Sequence, residues 1–436
     1  MTSLPLSGKL WDEVIPMNSS ILKRSQRMYV LEAAIEYFIS ILVSGTYLAN
    51  LTSAIGLSDG LTGILSSIIS LGCVFQLIAI FLRRNRVKRL VIAFSILNQL
   101  LFTFLYAVPC IPLAGEVKAV IFTVVIVLAY FIYNVAHPVK INWLMSLVDN
   151  EKRGIFTAKK EVVSLISGMI FSFLMGAMID YYKAEGKLEV AFVLSAVVMI
   201  VLTVLHTLTM LFTGEREDIS APRPDHRELL AVLKNKGILK VTLIFAVWNV
   251  ATYSATPFYG TYQRKELGFS MTFVAVLSVV YAVARSVFSG VLGKYADKRS
   301  FAKMVRLCFG VAALAFLVNT FCVPENGKLV FTLYYTLYAI SMAGINSALV
   351  NLCYDYAPVE KRTSALAITQ AISGCAGFFT TLLMSGAVEA IQAKGNRLFG
   401  LSLYAQQFTS FFALAVTLIA ILLVHILLVR QNKEDL

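Results

Sequence analysis

Residues 188–213 read LEVAFVLSAVVMIVLTVLHTLTMLFT, and Glu189 is the one Asp, Glu, Lys or Arg residue among them. An α-helix rises about 1.5 Å per residue, so about 20 apolar residues cross the hydrocarbon core of a bilayer. The stretch is continuously apolar and much longer than the ~10 residues of a barrel strand. It therefore predicts a membrane-spanning helix.

Similar apolar stretches recur along all 436 residues. Of the chain, 58% is hydrophobic and only 14% is charged, too few charges to cover the surface of a soluble protein of this length. The predicted spans, numbered 1 to 12 in chain order, are 28–50, 59–82, 91–113, 118–147, 158–181, 188–213, 238–263, 270–292, 303–323, 328–354, 364–391 and 402–429. The fold class is an all-α membrane protein with twelve transmembrane helices.

The distribution of basic residues predicts how the chain crosses the membrane. The net charge of +13 would suit a nucleic-acid partner, but most Lys and Arg residues lie at the termini and in alternate loops, such as 83–89 and 294–306. This is the positive-inside pattern of a multi-pass protein of the cell inner membrane, with both termini in the cytoplasm and no nucleic-acid partner. The polar stretch 214–237 then separates an N-terminal six-helix bundle, 1–213, from a C-terminal one, 238–436.

An internal repeat relates the two halves. A shift of 209 positions carries Glu151-Lys152-Arg153 onto Glu360-Lys361-Arg362. The same shift carries a stripe of small residues onto a second stripe: Ser164, Gly168, Ser172 and Gly176 onto Ser373, Gly377, Thr381 and Ser385. Small residues at every fourth position let membrane helices approach closely. Two similar halves are typical of transporters, whose binding site lies between repeats.

The loop after span 8 resembles the loop motif of the major facilitator superfamily, with Gly293, Asp297, Lys298 and Lys303 in place and Ser300 where the motif has a second glycine. The resemblance implies two pseudo-symmetric six-helix bundles, a central cavity lined by spans 1, 4, 7 and 10, and a monomer. It also implies a cytoplasmic latch, formed by those four residues and the signature residues Arg153 and Arg362. The loop 83–89 has lost the motif's glycine and aspartate.

Charged residues inside spans are costly in lipid and are therefore candidates for solute binding or ion coupling. The candidates chosen from them are Glu32 and Glu36 in span 1, Lys140 in span 4, Glu161 in span 5 and Arg285 in span 8. Glu32 and Glu36 share a helix face, and Glu36 lies roughly 13 Å along the helix from Arg27. Removing a carboxylate from water favours its protonated form, which suits proton coupling.

Structural roles for some of these residues stay open. Glu32 can extend to the interface beside Arg27, and Arg285 can pair with Glu161. Polar and aromatic residues of the presumed cavity spans are further candidates: Tyr133, Asn142, Asn249, Tyr253, Tyr338 and Asn346.

The sequence shows no metalloprotease or ATP-binding motif. HExxH and P-loop motifs are absent, the histidines are not spaced as metal ligands, and the six cysteines include no CxxC pair. We therefore expect neither a cofactor nor a metal. The predicted function is secondary active transport of a small polar or anionic solute by alternating access, coupled to protons. A drug or metabolite efflux antiporter and a non-transporting sensor are the alternatives.

Overall fold

The computed structural model describes residues 19–75, 87–148, 153–215, 234–358, 361–398 and 401–430. The helices within them are α1 (Ser19–Leu42), α2 (Gly45–Ala54), α3 (Asp59–Phe75), α4 (Val87–Ala107), α5 (Gly115–Met145), α6 (Arg153–Ala184), α7 (Leu188–Leu211), α8 (Lys236–Thr261), α9 (Met271–Lys298), α10 (Phe301–Thr320), α11 (Gly327–Tyr356), α12 (Arg362–Ala393) and α13 (Ala405–Val424). A 3₁₀ turn, Val108–Cys110, follows α4, and π-helical segments, Tyr262–Glu266 and His425–Arg430, extend α8 and α13. A short antiparallel hairpin, β1 (Arg397–Leu398) and β2 (Leu401–Ser402), precedes α13.

The twelve-helix prediction is confirmed. Within the described residues, the ten helices α4 to α13 are long and apolar enough to cross a membrane, and α1 with α2 forms a bent eleventh span. Helix α3 corresponds to predicted span 2, whose last residues, 76–82, lie outside the described part of the chain. From span 2 onward, the number of each helix is therefore one higher than the number of its span, so that span 2 is α3 and span 12 is α13.

Span 1 differs from the prediction in its start and in its continuity. Its helix begins at Ser19 rather than at 28, and it breaks between Leu42 and Gly45 with a bend of 42°. Ser44 is extended, and Gly45 has a φ of +51°, a left-handed conformation that glycine adopts at little cost. The bend places both residues on the wall of a central cavity.

Each half of the chain has its own apolar core. Leu42, Phe122 and Phe192 belong to the core of the N-terminal half, whereas Phe309 and Phe331 belong to that of the C-terminal half. The proposed linker 214–237 falls mostly outside the described residues, so its bounds remain a prediction.

The small-residue stripes lie where helices pack closely. Helix α6 packs against α1 and α9, and α12 packs in the same way against α8 and α3. The ring of Tyr37 on α1 covers Gly168, and a β-carbon on Gly377 would lie 2.7 Å from the Tyr253 ring on α8. The repeat found in the sequence therefore corresponds to a symmetric pair of helix contacts.

Replacing Gly377 by valine should destabilise the protein, because the added side chain overlaps the Tyr253 ring. We expect a loss of about 1–3 kcal/mol in the free energy of unfolding. Gly386→Val on the same helix is the matched control, because nothing lies within 4 Å of its β-carbon position. Unfolding of both variants in detergent should be compared, and equal losses would contradict a close contact at Gly377.

Candidate functional site

A cavity of about 750 Å³ lies between the two halves of the protein. Its walls come from the first span and from α5, α6, α8, α9 and α11. Spans 5 and 8 therefore line the cavity in addition to spans 1, 4, 7 and 10, which the family resemblance had implied. Nine tyrosines line it: Tyr29, Tyr37, Tyr47, Tyr133, Tyr259, Tyr281, Tyr334, Tyr335 and Tyr338. Their rings offer stacking faces and their hydroxyls offer hydrogen bonds to a bound solute.

Lys140 lies between the two carboxylates of α1. Its Nζ donates to Glu32 Oε1 at 2.8 Å and also contacts Glu36 Oε2. The four-residue separation of Glu32 and Glu36 places both on the face that α1 turns toward α5. The side chains of Lys140 and Glu32 are 4% and 1% exposed, whereas Glu36 is 23% exposed and lines the cavity. Glu32 is therefore held inside the bundle by Lys140, and the expectation that it extends to the interface beside Arg27 is wrong.

His206 on α7 joins this group from behind. Its Nε2 lies 3.1 Å from Glu32 Oε1, and the amide nitrogen of Gln99 lies 2.9 Å from its Nδ1. Because an amide nitrogen only donates, Nδ1 accepts, and a neutral ring then donates from Nε2 to Glu32. Sequence analysis missed His206, although an ionisable side chain in the middle of a span is itself a signal.

A metal site at this position conflicts with the lysine. Ligand atoms of Glu32, Glu36 and His206 lie within 4.8 Å of one another, a spacing that could hold a cation. The ammonium group of Lys140 already binds both carboxylates. We therefore describe these residues as one charge network, formed by Glu32, Glu36, Lys140 and His206.

A second ion pair crosses the cavity between the halves. Arg285 Nη2 on α9 lies 3.7 Å from Glu161 Oε1 on α6, the pairing that sequence analysis had left open. Both side chains are solvent-accessible, at 29% and 54% exposed, so the pair is weak and can open. Nearby, the Lys160 ammonium lies 5.1 Å from the centre of the Tyr29 ring. Counting Lys140, three carboxylates and three cations among the described residues surround the cavity.

The two ends of the bundle differ. We call the end with Lys88, Lys298 and Arg362 the basic end, and the end with Asp59, Asp180 and Glu389 the far end.

At the far end, two carboxylates join the halves in a symmetric way. Asp180, at the end of α6, accepts hydrogen bonds from the backbone nitrogens of Met271 and Thr272 at 2.9 and 2.7 Å. Glu389, near the end of α12, accepts from the Ser58 hydroxyl at 2.5 Å, just before α3. The shift of 209 positions carries Asp180 onto Glu389, so the repeat extends to these residues. Each carboxylate binds at the N-terminus of a helix in the opposite half, where the helix dipole favours negative charge.

Further contacts join the halves at the far end. Asp59 binds Lys265 Nζ at 2.5 Å and the Gln392 amide at 2.7 Å. The backbone of Gly45 comes close enough to α8 that a β-carbon on Gly260 would lie 2.9 Å from its carbonyl oxygen. Two side-chain hydrogen bonds add to these contacts: Arg264 to Asn50 at 3.0 Å and Thr46 to Gln263 at 2.7 Å. The far end of the cavity is therefore closed.

At the basic end, no two described side chains of the predicted latch form an ion pair with each other. Asp297 and Lys298 are exposed, and neither forms an ion pair with another described residue. A β-carbon on Gly293 would meet nothing within 4 Å. Arg362 lies over the Tyr354 ring of its own half at 5.3 Å, and the side chain of Arg153 lies outside the described residues. The latch remains a prediction for another conformation of the protein.

The remaining cavity candidates are dispersed. Tyr133 and Tyr338 line the cavity, and Tyr253 packs against Gly377. Asn249 is half-buried and Asn346 is exposed, both away from the cavity wall. The side chain of Asn142 is outside the described part of the chain.

Comparison with known proteins agrees with this architecture. A search of curated proteins finds no significant match. Among solved structures, the nucleoside transporter NupG superposes with a TM-score of 0.69 at 12% sequence identity, covering 94% of this chain and 98% of that one. A D-xylose-proton symporter gives 0.67 at 13% identity, with 93% and 97% covered. A bacterial homologue of the iron transporter ferroportin, in an inward-facing state, gives 0.68 at 13% identity, with 94% and 98% covered.

These identities are too low to carry over a substrate, and they show the fold alone. The family model described as Major Facilitator Superfamily matches residues 31–382, which is most of the chain. The protein is a multi-pass membrane protein with the transporter fold of that family. The chain belongs to the Major Facilitator Superfamily.

Proposed function

We propose that this protein is a proton-coupled secondary transporter that moves a small polar solute across the cytoplasmic membrane by alternating access. The observation that carries the proposal is the charge network of Glu32, Glu36, Lys140 and His206, whose two carboxylates line the cavity. Buried charges in a membrane bundle are costly and mark ion or substrate pathways. The cavity between two repeats is where a transported solute binds.

Glu36 is the proposed proton carrier. It is the member of the network that lines the cavity with a partly exposed side chain, so a proton reaches it through water. When Glu36 takes up a proton, Lys140 still has Glu32 as its partner at 2.8 Å, and no buried cation is left unpaired. Glu32, which His206 contacts from behind, stays the fixed partner of Lys140. Protonation therefore changes the charge of the cavity without dismantling the bundle.

The cavity suits a polar solute without net positive charge. Among the described residues around the cavity, three carboxylates are matched by three cations, Lys140 behind the wall included, so a lipophilic cation meets no excess negative charge from them. The nine tyrosines favour a solute with ring faces and hydroxyl or carbonyl groups. Arg285 adds a guanidinium for an acidic group, because its pairing with Glu161 is weak. Neutral ring-bearing solutes, such as nucleosides and pentoses, are the first class to screen, and organic anions are the second.

The direction of the opening follows from charge placement. We infer that the basic end faces the cytoplasm, because it carries the clustered Lys and Arg residues of the loops. Closure at the far end with an open latch at the basic end then corresponds to an inward-facing state. The outward-facing state requires the contacts of Asp59, Asp180 and Glu389 to break. One chain forms the complete cavity, which supports a monomer as the transporting unit.

The substitution Glu36→Gln should abolish proton-driven accumulation. In proteoliposomes with an imposed proton gradient, we expect wild-type protein to concentrate its solute, whereas the variant only equilibrates it. Glu116→Gln, an exposed carboxylate in the first turn of α5, is the control and should behave as wild type. Uptake of radiolabelled nucleosides, pentoses and organic anions measures both. Gradient-driven accumulation by Glu36→Gln would contradict its role, and a complete lack of transport by wild type would favour a sensor.

Replacing Lys140 by methionine should destabilise the protein strongly. The change leaves Glu32 buried without its cation, at a cost of about 3–5 kcal/mol in the free energy of unfolding. Adding Glu32→Gln and Glu36→Gln to the same chain should recover most of the loss. Lys187→Met, which removes an exposed pair with Glu185, should cost at most about 1 kcal/mol. An unfolding titration that shows equal losses for Lys140→Met and Lys187→Met would refute the network.

Removing both symmetric carboxylates, Asp180→Ala with Glu389→Ala, should open the far end. We expect spin labels at the exposed positions Lys187 and Lys394 to move apart, in a background without the six native cysteines. Pulsed electron paramagnetic resonance measures the distance distribution. The matched control removes two exposed far-end carboxylates, Glu116 and Glu325. A distribution that stays the same in Asp180→Ala with Glu389→Ala would show that these contacts do not hold the gate.

A further inference from the structure

A second cavity lies outside the transport pathway, between α10 and α13. Its volume is about 640 Å³, and neither helix contributes to the central cavity. Its apolar wall includes Leu307 and Leu314 from α10 and Leu418 and Leu422 from α13, each about half exposed. At Gly310, a β-carbon would meet nothing within 4 Å, so the missing side chain deepens the groove. This lipid groove, as we name it, opens on the outer surface of the helix bundle.

Basic side chains gather at one end of the lipid groove. Lys303 and Arg306 come from the start of α10, one turn apart, and His425 comes from the point where α13 becomes π-helical. Arg306 Nη1 donates to His425 Nδ1 at 2.9 Å, since a guanidinium has no acceptor. No carboxylate is among the described residues that line the groove. Two permanent positive charges therefore face the groove without an acidic partner in its wall.

We propose that the lipid groove binds a phospholipid with an anionic headgroup. Its phosphate would pair with Lys303 and Arg306, and an acyl chain would lie along the leucines past Gly310. The arrangement matches a lipid along the membrane normal. The charged residues lie at the level of the membrane surface, and the apolar wall lies toward the bilayer centre. Arginine and lysine together favour a headgroup with net negative charge over a zwitterionic one. The cationic group of a zwitterionic headgroup would be repelled by these two side chains.

This inference does not depend on the proposed transport function. The groove and the central cavity share no lining residue, and the helices that form the groove belong to the C-terminal half alone. A bound lipid would bridge α10 and α13 on the cytoplasmic side, as that side is assigned above.

The test is lipid binding to the purified full-length protein, measured by native mass spectrometry. Phosphatidylglycerol and phosphatidylcholine with the same acyl chains are titrated separately. We expect phosphatidylglycerol to bind at least tenfold more tightly to wild type. The double substitution Lys303→Gln with Arg306→Gln should remove that preference. Lys294→Gln with Arg299→Gln, which removes two exposed charges from the same end of the bundle, should retain it.

Two further arms separate a lipid from a free phosphate group. Glycerol 3-phosphate competes for the basic residues alone, and Gly310→Trp fills the apolar floor while leaving the charges in place. We expect weak competition by glycerol phosphate and a loss of phosphatidylglycerol binding in Gly310→Trp. Equal binding of both lipids, retained preference in Lys303→Gln with Arg306→Gln, or full competition by glycerol phosphate would each overturn the proposal. All variants should elute as single species in gel filtration, which shows that they are folded.

Discussion

The ion pairs of Lys140 with Glu32 and Glu36 are the interaction on which the account of this protein depends. In the low dielectric of a helix bundle, a cation is tolerated only with a partner, and two partners allow one of them to change its charge. The geometry divides the roles. Glu32 is buried and also bound by His206, whereas Glu36 reaches the cavity. A single proton on Glu36 can therefore alter the electrostatics of the cavity while the pair of Lys140 and Glu32 keeps α1 and α5 together.

The repeat supports the proposal that this site is reached from each side of the membrane in turn. Helices α6 and α12 make equivalent contacts with the opposite half, and the carboxylates at their far ends, Asp180 and Glu389, bind equivalent helix N-termini. Across the cavity, the described ion pair that joins the halves is the exposed one of Glu161 and Arg285, a weak contact. Strong contacts at the far end and a weak contact across the cavity would let the two halves rotate relative to each other about the cavity.

The sequence predicts the helices well, because apolar length and loop charge depend on local composition. It also identifies the charged residues of the network on α1 and α5, since any charge in a span is conspicuous. It does not predict the contact between His206 and Glu32, which are 174 positions apart in the chain. The break before Gly45 also escapes prediction, because one glycine in an apolar stretch gives no warning of a left-handed residue. The sequence left open that Glu32 extends to the interface beside Arg27, because hydropathy does not show which helix a side chain faces.

The most direct test of coupling is the movement of protons driven by solute. Coupling is reciprocal, so a solute gradient across proteoliposomes without any initial pH difference must move protons if protons move the solute. A pH-sensitive dye in the lumen reports this, with the solute identified by uptake. The account predicts a change of lumenal pH with wild-type protein that is absent with Glu36→Gln, although the variant still exchanges solute. Solute flux through wild-type protein with no change of lumenal pH would contradict the proposed role of the network.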